Sequence, residues 1–187
     1  MQTMSAASEK QRAEAGDGYR LMLSPRRIQR RIKELAEELS RDYRGKVPVF
    51  IGVLNGGFIF LADLIRQLQI DCEVDFMKIS SYGDETMTSG WVKLLKDVDC
   101  QIEGRDVVVV EDIVDSGLSI QFLHRRLQRF RPKSVKYVAL LLKEGAARVP
   151  YAVDYVGFRI PNKFVVGYGL DQAQLLRNLG GIYVKEE

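Results

Sequence analysis

Hydrophobic positions along the 187-residue chain fall into two kinds of block, and their alternation predicts the fold. Ser24-Pro25 offers a helix N-cap followed by proline at the first helical position. Ile28, Ile32, Leu35, Ala36 and Leu39 then recur at helical spacing, which predicts a helix to about Tyr43. Its other face carries Arg27, Arg30, Arg31, Lys33, Glu37 and Glu38 and reads as solvated. Val47–Leu54 is almost continuously apolar, the pattern of a strand covered on both faces. Asn55-Gly56-Gly57 turns the chain, and Phe58, Leu61, Ile65 and Leu68 line one side of a second helix. Strands follow near Val74–Ile79 and Trp91–Leu95. Between them Ser80–Gly90 (SSYGDETMTSG) is polar and too long for a tight turn, and it reads as a mobile loop of the kind that forms a lid. Val107–Val110 and Val135–Leu142 are further buried strands, joined by a helix from about Leu118 to Phe130. Beyond Lys143 the pattern loosens: Tyr155–Phe158 and Ile182–Val184 are strand candidates, and Pro161–Asn178 is a structured excursion. The first 20 residues lack periodicity and read as a flexible leader, leaving 21–187 as a single domain. Strand–helix alternation with apolar strands makes this an α/β domain with a mainly parallel sheet flanked by helices, whose ligands gather at the strands' carboxyl ends.

Composition narrows the chemistry. One histidine removes metal sites built on several imidazoles, and a Ser-His-Asp triad is left only with His124 as its base. His124 has no nucleophile near it in sequence and reads as a boundary residue. Two cysteines, Cys72 and Cys100, make neither a four-cysteine zinc site nor a disulfide framework and read as reduced thiols. The N-terminal stretch has no apolar signal core, and no run of about 18 apolar residues occurs, so a cytoplasmic, non-membrane location is expected. Twenty-eight Lys plus Arg against 25 Asp plus Glu leave a net charge of +3, which permits anionic ligands without implying nucleic acid. Arg125, Arg126, Arg129 and Arg131 cluster towards one helix end, where cations complement the dipole.

The informative segment is Val107–Ser119, VVVVEDIVDSGLS. A buried strand ends in two adjacent carboxylates, Glu111 and Asp112, and a third, Asp115, opens a small-residue turn into a helix. Neither nucleotide fingerprint is present. Ser116, Gly117, Leu118 and Ser119 nonetheless place backbone N–H groups and two hydroxyls at a helix N-terminus, which suits a phosphate. Three carboxylates would repel a bare phosphate. A sugar phosphate resolves the conflict: its phosphate takes the helix N-terminus while its hydroxyls donate to Glu111 and Asp112, with Mg2+ as a candidate bridge.

This segment resembles the phosphoribosyl pyrophosphate (PRPP) signature of type I phosphoribosyltransferases, and Asp115 narrows the resemblance to the hypoxanthine(-guanine) branch. The likeness runs from about Val49 to Arg177. Leu54-Asn55-Gly56-Gly57 is similar to the pyrophosphate loop, Ser81-Tyr82 to the pair on the lid, and Lys143 to the lysine ending the next strand. Lys163–Asp171 (KFVVGYGLD) looks like the purine-binding hood, and Arg177 like the arginine that meets pyrophosphate. The resemblance implies the type I phosphoribosyltransferase fold, with a small hood formed mainly by the N-terminal part and 158–187. It implies PRPP binding by Leu54, Asn55, Gly56, Glu111, Asp112, Asp115, Ser116, Gly117, Leu118 and Ser119. Purine would be bound by Lys143, Phe164, Val165 and Asp171, and Mg2+ by Asp171, Glu111 and Asp112. Asp115 would face purine N7, Lys143 would donate to the 6-oxo group, Phe164 would stack, the backbone at Val165 would read the ring edge, and Arg177 would neutralise the leaving charge. With Asp115, Lys143 and Arg177 as catalytic residues, the implied reaction is phosphoribosyl transfer from PRPP to hypoxanthine or guanine in purine salvage. Closure of Ser80–Gly90, with Tyr82 over the site, would keep water out.

The same resemblance implies a cis peptide between Leu54 and Asn55 and a homodimer or homotetramer. Asn55 stands where some relatives carry lysine, Ser119 where threonine is usual, and Gly169 where alanine is frequent, which would loosen the hood. Two alternatives on the same fold are a regulatory RNA-binding protein, which the mild charge does not favour, and a xanthine-preferring transferase.

Overall fold

The computed structural model describes residues 18–82, 91–145 and 151–186. Among them the order is β1 (Tyr19–Leu23), α1 (Pro25–Asp42), β2 (Val49–Leu54), α2 (Phe58–Ile65), β3 (Glu73–Tyr82) and β4 (Trp91–Lys96). There follow β5 (Asp106–Val114), α3 (Leu118–Gln128), β6 (Ser134–Lys143), β7 (Tyr155–Ile160), β8 (Val165–Val166) and β9 (Ile182–Lys185). Six strands form a sheet in the order β4-β3-β2-β5-β6-β7, parallel throughout except between β3 and β4. A separate antiparallel sheet, β1-β9-β8, makes the hood.

Side-chain alternation along the central strands builds two cores. Phe50, Val108, Val110, Val138 and Leu140 face α1 and α2, while Val49, Ile51, Val107, Val109 and Ala139 face α3. Because β5 has strands on both edges and helices on both faces, Val107–Val110 have no exposure. The stripe of Ile28, Ile32, Leu35, Ala36 and Leu39 is likewise fully buried. Ser24 caps α1 by accepting from the Arg27 N–H, with Pro25 at the first position as expected.

Four boundaries differ from the sequence pattern. β1 starts at Tyr19, inside the expected leader, because Tyr19–Leu23 pairs with β9, a partner lying more than 150 residues downstream. Ser80–Tyr82, assigned to the loop, extends β3 by pairing with Trp91–Lys93 of β4; Gly83–Gly90 lie outside the described residues. β5 does not stop at its carboxylates but runs to Val114, paired with Leu142 of β6. Phe158–Ile160, placed in the hood, belong to β7 at the edge of the large sheet. Among the described residues no helix is long and apolar enough to cross a membrane, and Cys72 and Cys100 are both free. His124 is half-buried, with Nδ1 3.1 Å from the Tyr137 hydroxyl and its ring stacked on Tyr151.

One buried charge anchors the β3–β4 hairpin. Asp75, 7% exposed, accepts from the N–H groups of Phe76 (2.6 Å), Asp99 (2.6 Å) and Cys100 (2.9 Å), with Lys96 Nζ at 3.3 Å. Burial alone would raise its carboxyl, but the backbone donors outweigh it and bring it down to about 2. A depressed carboxyl stabilises the fold above its unfolded-state value and loses that contribution as pH falls through the folded value. Asp75→Asn is therefore expected to cost about 2 kcal/mol at neutral pH. The difference from the parent protein should shrink between about pH 4 and pH 2, measured by denaturant unfolding at each pH.

Candidate active site

Parallel strands β2, β5 and β6 end on the same edge, so the turns that follow them converge there. A cavity of about 490 Å3 opens at this edge. Leu54 and Gly56 form one wall, Glu111 to Ile120 the other, and Ile79 and Val92 close a side. Of the residues expected to bind PRPP, all but Asn55 line it. Asn55 instead lines a neighbouring cavity of about 400 Å3 with Leu54, Phe58, Phe76 and Arg177.

The acidic floor is set by the end of β5. Glu111 is 5% exposed, and among the described residues its Oε1 has no hydrogen-bond partner. Burial, aided by the neighbouring charge of Asp112, pushes its carboxyl well above the usual range. Asp112 is pushed up to about 6, mainly by burial and further by Asp171, against the opposing pull of the Ile113 N–H and the Arg177 guanidinium. Gly56 must be glycine for this arrangement, since a Cβ there would overlap Asp112 Oδ2. Opposite, Gly117 caps α3 with φ +75° and has no side chain to offer, and Ser116 Oγ accepts from the Leu118 N–H only at 3.5 Å. The first turn of α3, closed by nothing stronger than that long contact, lines the cavity and can receive an anion beside the acidic floor.

Two ion pairs hold the remaining charged residues. Lys143, at the end of β6 and with a side chain 12% exposed, donates to Asp115 Oδ2 at 2.6 Å. Arg177 pairs with Asp171 Oδ1 at 2.8 Å and donates to the Gly169 carbonyl at 2.7 Å. The Leu54–Asn55 peptide is cis, as the resemblance implied. Phe164 and Val165 lie away from both cavity linings: Phe164 is 48% exposed, and Val165 is buried in β8. Ser81 and Tyr82 are placed at the end of β3. Among the described residues no three His, Cys, Asp or Glu side chains form a ready-made metal cage, so Glu111, Asp112 and Asp171 do not converge as one.

Sequence reasoning missed the apolar part of the lining, Ile79, Val92 and Ile113, which looks like ordinary strand pattern. It also misjudged Gly169. With φ +100° and its Cα against the Gly56 carbonyl, this glycine does not loosen the hood but allows it to close on the Asn55–Gly57 turn.

The comparisons with known proteins agree with this geometry. The phosphoribosyl transferase domain family matches residues 22–173. The hypoxanthine-guanine phosphoribosyltransferase of Bacillus subtilis is 45% identical over 163 residues, covering 87% of this chain and 91% of its own. That of Mycobacterium tuberculosis is 43% identical over 189 residues, covering 97% and 94%. Among solved structures, a hypoxanthine-guanine phosphoribosyltransferase from Bacillus anthracis superposes with a TM-score of 0.83 at 46% identity, covering 88% of this chain and 96% of its own. The Staphylococcus aureus hypoxanthine phosphoribosyltransferase gives 0.84 at 38% identity, covering 89% and 90%. On sequence and fold together, the chain belongs to the phosphoribosyltransferase family, in its hypoxanthine-guanine branch.

Proposed function

We propose that the protein transfers the 5-phosphoribosyl group of PRPP to hypoxanthine and guanine, releasing pyrophosphate, as a purine-salvage enzyme of the cytoplasm. The observation that carries this reading is the pairing of opposites in one cavity: a Glu111 oxygen, buried and without a partner among the described residues, beside Asp112, and across from them the glycine-capped N-terminus of α3. Hydroxyls of a ribose satisfy the first, and its 5-phosphate satisfies the second. The relatives carry the transferase name, which does not favour the RNA-binding alternative.

Each residue then has a task. Ser116 to Ser119 receive the 5-phosphate, and Glu111 and Asp112 accept from the ribose hydroxyls. The Leu54–Gly56 turn and Arg177 hold the pyrophosphate. The Asp115–Lys143 pair presents an acceptor and a donor side by side, so a 6-oxopurine inserted between them gives its N7 proton to Asp115 and takes a hydrogen bond from Lys143 at its oxo group. An adenine amino group would face the Lys143 ammonium donor to donor. Phe164, exposed on the hood, supplies a stacking face. The anomeric carbon loses pyrophosphate through an oxocarbenium-like state, so positioning and leaving-group stabilisation do most of the work.

Mg2+ fits the donor set, which is all hard oxygen, and the orphaned Glu111 oxygen marks an unfilled demand. One or two of Glu111, Asp112 and Asp171 would hold it together with substrate oxygens, the arrangement usual for this ion. When bound it supplies charge that offsets the departing pyrophosphate.

With PRPP and Mg2+, pyrophosphate release is expected with hypoxanthine and guanine and not with adenine; release with none of the bases would overturn the reading. Asp115→Asn is expected to lower turnover about 10²-fold or more, checked by steady-state assay. Asp112→Asn removes a desolvated charge from the fold. It is expected to raise stability by about 1–2 kcal/mol at pH 7–8, seen as a higher unfolding temperature, while PRPP binding weakens.

A further inference from the structure

Tyr168 stands between Gly167 and Gly169 in a turn where all three φ values are positive, +95°, +51° and +100°. Glycine takes such angles freely, whereas tyrosine does so at a cost, and contacts outside the turn must hold it. Its side chain provides them. The residue is 4% exposed, and its hydroxyl donates to Asp63 Oδ2 on α2 at 2.6 Å. The same oxygen accepts from Gln29 Nε2 of α1 at 2.5 Å, and Oδ1 accepts from Arg66 at 2.8 Å. Burial, then the Asp63 carboxylate, raise the phenol well above its ordinary value, so it stays a donor at working pH.

The backbone of the turn faces the other way. The Tyr168 N–H donates to the Leu179 carbonyl (2.8 Å) and the Gly169 N–H to the Arg177 carbonyl (3.0 Å). Gly169 also abuts the Gly56 carbonyl. α2 itself grows from the Asn55–Gly57 turn, with the Leu61 N–H on the Gly57 carbonyl at 2.9 Å.

We propose that the Tyr168–Asp63 hydrogen bond is a positioning device, tying the 167–171 turn of the hood to α2 and so setting Asp171 and Arg177 over the Asn55–Gly57 turn. Tyr168 and Asp63 are positioning residues, since neither lines the cavities. The purine end of the hood is held differently, by the β8–β9 ladder of Val165 with Val184 and Val166 with Tyr183. Loss of the bond therefore affects one substrate and spares the other. The inference rests on the proposed assignment of Arg177 to pyrophosphate and of Asp171 to the Mg2+ that accompanies it.

Tyr168→Phe keeps the ring and deletes the hydroxyl. The KM for PRPP is expected to rise about tenfold, the scale of one hydrogen bond to a charged acceptor. The KM for hypoxanthine should stay within about twofold, as befits a base held by the ladder. Calorimetric titration with pyrophosphate and Mg2+ should show the same loss of affinity without turnover. Asp63→Asn, which keeps an acceptor for the phenol, should lie between the two. An unchanged PRPP KM in Tyr168→Phe, or equal weakening of both substrates as general loosening would give, overturns the proposal. Arg177→Gln separates the two claims. If its PRPP KM is unchanged, the pyrophosphate assignment fails and the proposal with it. If it rises while that of Tyr168→Phe does not, only the positioning role fails.

Discussion

A strand with neighbours on both edges and helices on both faces cannot carry charge until its cover runs out, and β5 is such a strand. Val107–Val110 satisfy this rule completely, and Glu111 breaks it one residue early. An unpaired buried polar group costs about 1–3 kcal/mol and a charged one more, so the fold holds Glu111 against its own stability. The rest of the site accommodates that violation. Gly56 gives up its side chain to make room for Asp112, α3 begins opposite on a glycine cap, and strand parallelism brings both turns to one edge. Sites that bind by completing unmet demands are commonly built at the expense of stability.

The charge balance follows from the same strand. Of the carboxylates here, Asp115 pairs with Lys143 and Asp171 with Arg177, so each of these two cations is already engaged. A strongly anionic substrate cannot enter such a site on the strength of protein cations alone. Its phosphates must be met by main-chain N–H groups and by a divalent ion, which is why the proposed reading needs Mg2+ rather than a basic surface. The small net charge of +3 is thus no measure of the site.

What was legible in the sequence is what short range determines. The α1 stripe from Ile28 to Leu39 and the buried valines of β5 are periodic or contiguous and lie where their pattern says, and the acidic run is contiguous too, though Glu111 and Asp112 sit inside the strand rather than at its end. The errors share a different cause. Tyr19–Leu23 shows no alternation because only Leu23 is fully buried, and its strand exists only through β9. Ser80–Tyr82 look like loop in composition yet are held by β4. Gly169 looked like a loosening because the Gly56 carbonyl it accommodates is more than 100 residues away in sequence.

The hood makes the same point about energetics. Among the described residues, its three short strands and the turn before β9 bury just Val166, Leu179 and Tyr183 as a core of their own, with Tyr19, Leu21 and Leu176 packed against it, too little to stand alone. Its other apolar residues, Leu23, Val165, Tyr168, Leu170, Ile182 and Val184, join the cluster formed by α1 and α2. A substructure stabilised from outside is oriented by whatever it leans on. The hood leans on the two helices that flank the β2 edge of the site, one of which begins at the Asn55–Gly57 turn. Any shift of α2 therefore moves the turn and the hood together, so the relative placement of the two is preserved by construction rather than by rigidity of either part.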